Sequence, residues 1–291
     1  MYSVLNIAIK DKIASFEITN PLKQSRILIG KTPDAVLKSI PIIFNLCPMA
    51  HKMAASLALG LPVDEIVKKG VIGEIIREHS MIIFNDISKI LGLGLLREAL
   101  IGINNLNNAR LEKLENDLFG TRAEDFINNL SNSGIYGEIL PRLDEFIGDF
   151  GAIKFESDPT YYARAKAFGD NPFFTKVPTL SQRILSRFWE VANLIISLKT
   201  NSDIEISGVK NNSASVWAAR GLLTHSYTQN AGIISDCTIT TPTNQILESG
   251  GMLLKMLNAA LNSERYHIRE LVLMNICTID PCIETKITGL E

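Results

Sequence analysis

The chain has 291 residues, 46% of them hydrophobic and 21% charged, and a formal net charge of −2 at pH 7. That composition supports a sizeable core, excludes a disordered chain and offers no positive surface to a polyanion, so nucleic acid is not an expected partner. No apolar run reaches the roughly 18–20 residues of a membrane span, and the N-terminal MYSVLNIAIKDK lacks the basic stretch and small-residue cleavage site of a secretory signal, so the expectation is a cytoplasmic protein without a membrane span.

Residues 3–19 read as a β-hairpin. Val4, Asn6, Ala8 and Lys10 alternate with Leu5, Ile7 and Ile9, and a second run, 13–19, follows Asp11 and Lys12. Thr32, Pro33 and Asp34 form a helix start: N-cap, first helical position and acidic first turn. A helical core is expected over residues 32–198. Pro41 and Pro48 interrupt it, and 48–59 is a regular helix ended by Gly60 and Pro62. Asp64 opens a stretch that continues through residue 91, and 111–118, 123–130, 135–150 and 180–198 carry helical spacing. Residues 152–180, with Pro159, Pro172 and Pro178, show no readable pattern. A small β section follows over 203–240, with strands at 203–209, 215–219, 222–228 and 233–240. Helices are expected at about 244–261 and 264–274, the second with Ser263 as N-cap, and 280–291 is an extended tail. The fold class is α+β: a helical-bundle core with small peripheral hairpins and sheet, in one domain spanning 1–291.

Four cysteines are present, Cys47, Cys237, Cys277 and Cys282, with no CxxC pair. They are too few for a disulfide scaffold, and the ordinary reading of each is a small buried hydrophobe. Two have special settings. Cys47 directly precedes Pro48 at a helix start, where the helix dipole lowers a thiol's pKa and favours the metal-binding thiolate. Cys282 closes an Asp280-Pro281-Cys282 turn. Two further segments stand out: Ala219-Arg220-Gly221-Leu222-Leu223-Thr224-His225, and Thr240-Thr241-Pro242-Thr243-Asn244, where Thr243 or Asn244 is the N-cap.

Together and in this order, the four segments resemble the [NiFe]-hydrogenase large-subunit family. That family carries CGxCPxxH near its start, then PRGxxxH, a PTxWN-like motif, and DPCxxCxxH at its end. The resemblance covers most of the chain and implies a truncated form of that fold. The departures are specific. Phe44 aligns with the first N-terminal cysteine and Asn45 with the glycine. Thr285 aligns with the second C-terminal cysteine, and Thr288 with the histidine that marks a proteolytic cleavage site. The family's N-terminal arginine–isoleucine–glutamate–glycine motif, source of a proton-transfer glutamate, does not precede the hairpin. Phenylalanine cannot ligate a metal and threonine is a poor ligand for soft nickel or iron, so a tetrathiolate nickel site is excluded and no hydrogenase activity is expected.

The resemblance assigns the remaining residues to the other half of the family's metal pair, the iron with two cyanides and one carbon monoxide. Cys47 and Cys282 are the implied metal ligands. Arg220 and Thr243 sit where the family donates hydrogen bonds to the cyanides, and Leu223 where it packs against the carbon monoxide. Iron either bridges Cys47 and Cys282, or is anchored by Cys47 with Cys282 assisting release. This pattern is similar to the HupK/HoxV type of hydrogenase expression/formation (maturation) protein, which implies a non-catalytic scaffold for a transient Fe(CN)2CO unit, without nickel. The implied partners are the hydrogenase large subunit, a small chaperone and an iron–sulfur scaffold protein. The alternative is an inactive or differently metallated hydrogenase-like subunit of an oxidoreductase complex, akin to the quinone module of complex I. His51 and His225 are read as supporting or packing residues, His79 as a solvated or hydrogen-bonded helix residue, and Cys237 and Cys277 as structural.

Overall fold

In the computed structural model, which describes residues 3–19, 24–130, 132–169, 173–248, 251–264 and 267–290, the N-terminal alternation becomes β1 (Val4–Lys10) and β2 (Ile13–Thr19). They pair antiparallel from Val4↔Thr19 to Lys10↔Ile13. Asp11 and Lys12 take φ of 51° and 60°, the double positive-φ geometry of a two-residue hairpin turn. Leu5 and Ile7 fall on the buried phase.

The helical core runs through α1 (Pro33–Ile43), α2 (Pro48–Ala58) and α3 (Glu65–Met81), which passes through a π-helical turn (Ile82–Ile87) into α4 (Ser88–Ile90). It continues with α5 (Arg97–Leu100), α6 (Asn108–Phe119), α7 (Ala123–Asn129) and α8 (Gly134–Phe146), then α9 (Tyr161–Ala165) and α10 (Leu180–Thr200). Thr32 caps α1 as expected, its hydroxyl accepting from Ala35 N–H at 3.3 Å. Thr179 and Gln182 close a reciprocal capping box on α10. Helix α10 is buried on nearly every face and packs against α3, α7 and α13 (Ile268–Ile279), which makes it the axis of the core. The unreadable stretch contains α9, which lies against α10; Pro172 falls outside the described residues.

The β section is an antiparallel meander, β3 (Ser207–Lys210), β4 (Ser213–Ala218), β5 (Gly221–Asn230) and β6 (Ile233–Thr240). Helix α2 packs between α1, α3 and this sheet, so its N-terminus is carried to the point where helical core and sheet meet.

At the C-terminal end the helix bounds and caps are corrected and the tail is made specific. The helix expected over 244–261 is two: α11 (Pro242–Ile246) and α12 (Met252–Leu261), the latter with Gly251 at its N-cap. The N-cap of α11 is Thr241, in a capping box with Asn244, because Pro242 fits the first helical position. Thr243 therefore lies inside the first turn, and its hydroxyl is free of capping duty. Ser263 is not an N-cap: its hydroxyl donates back to Ala260 O at 2.8 Å, and the last long helix, α13, begins at Ile268. The extended tail is a strand, β7 (Glu284–Thr288), parallel to β1 from Val4↔Glu284 to Ala8↔Thr288. It carries only one large apolar residue, Ile287, so no alternation announced it, and the pairing depends wholly on β1 being there. Among the described residues no helix is long and apolar enough to cross a membrane.

Candidate functional site

Four chain segments meet at one cavity of about 530 Å³. Cys47 is the residue before α2. Arg220 and Leu223 come from the β4–β5 corner, Thr243 from the first turn of α11, and Cys282 from the link between α13 and β7. All five sequence-predicted site residues line the cavity, with Phe44 and His51 beside them.

The two thiols are free and hydrogen-bonded to each other. The bond from the Cys47 thiol, opposed by burial and aided by the Arg220 charge, holds Cys282 below the ordinary thiol range. Cys47 is pushed well above its ordinary value by that same bond and by burial. This reverses the sequence expectation that the helix dipole makes Cys47 the thiolate. Cys47 makes no side-chain cap. The N–H groups of Met49 and Ala50 are instead taken by Glu74, at 2.7 and 3.1 Å, so the helix end already has its anion. Burial raises Glu74 to about 7 even against those two bonds. Cys282 is the more acidic sulfur chiefly because it accepts the Cys47 bond, with Arg220 and Thr243 adding to the effect. The Oγ1 of Thr243 accepts from Cys282 N–H at 3.0 Å, and its hydroxyl hydrogen-bonds to the sulfur.

Arg220 is held from two sides. Its Nε donates to Asp280 O at 2.9 Å and lies 3.1 Å from the Asp280 carboxylate, while Nη2 donates to Glu78 Oε2 at 3.0 Å. The third nitrogen, Nη1, is buried with no hydrogen-bond partner. Glu78 is itself fixed by Arg77, whose Nη2 also donates to Leu46 O at 2.7 Å, beside Cys47. Gly221 follows Arg220 because nothing larger fits: φ is 143°, and an added Cβ would stand 1.8 Å from Pro159 O. That contact lets Tyr161 N–H bond to Arg220 O at 3.1 Å and Leu222 N–H to Pro159 O at 3.1 Å, which pins the arginine's backbone.

The apolar wall is Leu223, fully buried, and Phe44, which stacks on His51 with ring centroids 3.8 Å apart. His51 Nδ1 lies 2.9 Å from His225 Nε2, and His225 Nδ1 lies 2.8 Å from the Tyr227 hydroxyl. Burial lowers His51 to about 3 and His225 well below the ordinary imidazole range, so both are neutral supports of the wall. Cys237 belongs to the small core cluster under α1 and the sheet, as expected. Cys277 is in α13, outside the cavity lining, and burial pushes its thiol up. Thr285 is in β7, also outside the lining. Of the two readings of His79 the hydrogen-bonded one holds and the solvated one does not: it is fully buried and bonded to Glu190 at 2.7 Å.

Glu74 and Glu78 were missed as site residues. Their i,i+4 spacing on one helix places both carboxylates on the same face, a signal that could have found them. Among the described residues no cluster of three or more His, Cys, Asp or Glu side chains is arranged to hold a metal ion. The cavity thus offers a soft metal centre two sulfurs, cationic and hydroxyl donors, and an apolar wall; most of the coordination sphere would have to arrive with the metal.

No family model matches the chain. It is 26% identical over 287 residues to "Hydrogenase expression/formation protein HupK" of Rhodobacter capsulatus, covering 93% of this chain and 91% of that protein. Its fold is similar to that of a chain in the crystal structure of an NAD+-reducing [NiFe]-hydrogenase in the H2-reduced state. There the TM-score is 0.57 and the identity 14%, with 94% of each chain covered.

Proposed function

We propose that this chain is a hydrogenase expression/formation protein that holds an Fe(CN)2CO unit on Cys47 and Cys282 as cargo and passes it on to a hydrogenase large subunit. The likeness to HupK along nearly the whole chain supports the broad role. The specific cargo rests on one observation above the others: the Nη1 of Arg220, buried and without a partner, on a guanidinium that lines the same cavity as two hydrogen-bonded thiols. A buried donor left unmade costs about 1–3 kcal/mol, which a nitrile-type acceptor on the cargo would recover.

The donor set fits that cargo. A ferrous ion with two cyanides and two thiolates carries a formal charge of about −2, and burying it needs partners of opposite sign. Arg220 supplies a fixed positive charge and the Thr243 hydroxyl a second donor. Leu223 offers carbon monoxide, which makes little use of hydrogen bonds, an apolar neighbour. Phe44, which lines the cavity, and Thr285, which does not, replace the two further cysteines that the resemblance requires for a nickel site, so the chain handles iron without nickel and does not cleave H2. Taking up the metal displaces the proton that Cys47 shares with Cys282, and two thiolates rather than four leave a hold that a receiving protein can break. A small chaperone and an iron–sulfur scaffold protein are the proposed donors.

Infrared spectroscopy tests this on protein purified from cells that make the cargo. Cyanide and carbon monoxide bands are expected, lost in Cys47→Ala and weakened in Arg220→Leu. Bands that persist unchanged in Cys47→Ala would overturn the anchor, and stoichiometric nickel with H2 uptake would overturn the carrier.

A further inference from the structure

We propose that a buried network outside the cavity, Arg164–Glu190–His79–Arg187, is the clamp that sets where Arg220 and Cys282 meet, so these four are positioning residues of the site. The proposal rests on the assignment of the site to Cys47, Cys282 and Arg220. All four side chains are buried, with Glu190 and His79 fully so. Arg164 bonds Glu190 through Nε and, at 2.9 Å, through Nη2. Glu190 Oε2 meets His79 Nε2 at 2.7 Å, and His79 Nδ1 meets Arg187 Nη1 at 2.6 Å. An arginine can only donate, so His79 is the neutral tautomer that accepts at Nδ1 and donates from Nε2 to the carboxylate. Burial lowers its pKa to about 4 and agrees with that assignment.

The network's ends point to its purpose. Beyond the network the two arginines bond backbone carbonyls, Arg187 Nε alone among their buried donors having no partner. Arg164 donates to Ala218 O and, at 3.3 Å, to Ala219 O, the two carbonyls directly before Arg220. Arg187 donates to Cys277 O at 3.1 Å and Thr278 O at 3.0 Å, just before Asp280 and Cys282. One chain of charged hydrogen bonds thus ties the β4–β5 corner to the end of α13. Tyr161 lies under the Arg187 guanidinium at 3.9 Å, and its own N–H holds Arg220 O, which closes the loop. With no water to compete, the bonds fix position rather than merely add stability. A network serving core stability alone would have no cause to end on these four carbonyls.

Cadmium binding tests the clamp, because its thiolate charge-transfer absorption reports two sulfurs held together. The intact chain is expected to bind one cadmium ion, with the band lost in Cys282→Ser. Arg187→Lys and His79→Leu, each shown to melt cooperatively, are expected to weaken binding by about tenfold or more, the usual effect of removing a partner behind a metal ligand. His79→Gln, whose amide both donates and accepts, is expected to restore affinity to near that of the parent. Parent-like binding in Arg187→Lys and His79→Leu would overturn the clamp, as would a His79→Gln defect equal to that of His79→Leu. Should Arg187→Lys fail to fold, the two His79 variants decide. A parent chain whose cadmium band ignores Cys282→Ser would instead overturn the thiol-pair site.

Discussion

The Oγ1 of Thr243 accepts a 3.0 Å hydrogen bond from the backbone N–H of Cys282, which ties the first turn of α11 to the link before β7. The same hydroxyl bonds the sulfur. Thr243→Val keeps the shape and removes both contacts. The expected outcome is a stability loss of about 1 kcal/mol, the cost of stranding a partly buried donor, and a shift of the cyanide bands in loaded protein. Thr243→Ser is expected to behave as the parent in both urea unfolding and infrared spectra.

Arg220 answers Asp280, Glu78 and the cavity at once, which needs a planar fork. Arg220→Lys keeps one charge but cannot span the three directions, so cargo retention is expected to fall while the fold survives. Arg220→Leu leaves Glu78 and Asp280 without the shared cation, and urea unfolding is expected to register a loss of about 3 kcal/mol. An unchanged urea midpoint in Arg220→Leu would contradict the reading of these contacts as coupled.

Gly221→Ala forces a Cβ to within 1.8 Å of Pro159 O at a φ of 143°. The strand corner must open, and Arg220 moves with it. A loss of roughly 2–4 kcal/mol is expected in thermal or chemical denaturation, with cargo retention lost as well. Gly208, where an added Cβ meets nothing within 4 Å, is the control: Gly208→Ala should be close to neutral.

Stability is expected to fall on the acid side. His79 and His51 ordinarily titrate at 6.5 but do so at about 4 and about 3 in the fold, and His225 is lowered too. Between pH 6.5 and 4 the unfolded chain therefore binds more protons than the folded one, and stability drops as pH drops. Glu74 works in the opposite sense: raised from 4.5 to about 7, it adds stability as pH falls through 7. Glu190, lowered from 4.5 to about 2, joins the histidines below pH 4.5. Asp86, raised by burial and by Asp280, works with Glu74, and the three lowered histidines outweigh the two carboxylates, so stability falls on balance from pH 6.5 toward 4. Urea midpoints at pH 7, 5.5 and 4.5 check the direction; a higher midpoint at pH 4.5 than at pH 7 would refute it.

Much of the fold was legible where the rules are local. The hairpin followed from period-two alternation around Asp11 and Lys12, and α1 from Thr32 and Pro33. Helix α10 followed from its 3.6-residue apolar spacing. Strand β7 was not legible, because Glu284–Thr288 becomes a strand only through β1 at the other end of the chain. The break between α11 and α12 was legible but passed over, since Gly250 and Gly251 interrupt the apolar spacing there; the late start of α13 was not, because Ser263 turns its hydroxyl back to Ala260 O instead of capping forward.

For the site, the sequence by itself determined the cast: Cys47, Cys282, Arg220, Leu223 and Thr243, and the phenylalanine and threonine that exclude two further thiolates. Residue type sets which atoms can bind a soft metal or donate a hydrogen bond, and type is read directly. Only the tertiary structure decided how those residues divide the work. The helix-dipole rule put the charge on Cys47, but Glu74, from the next helix, had already occupied that helix end, and the bond from Cys47 itself, with Arg220 and Thr243, turned the advantage to Cys282. Burial and long-range charge set a thiol's state, and neither is written within one helical turn of it. The same holds for Arg164, Glu190, His79 and Arg187, of which only His79 drew notice in the sequence, until folding joined them and placed the arginines' donors on the carbonyls before Arg220 and Cys282.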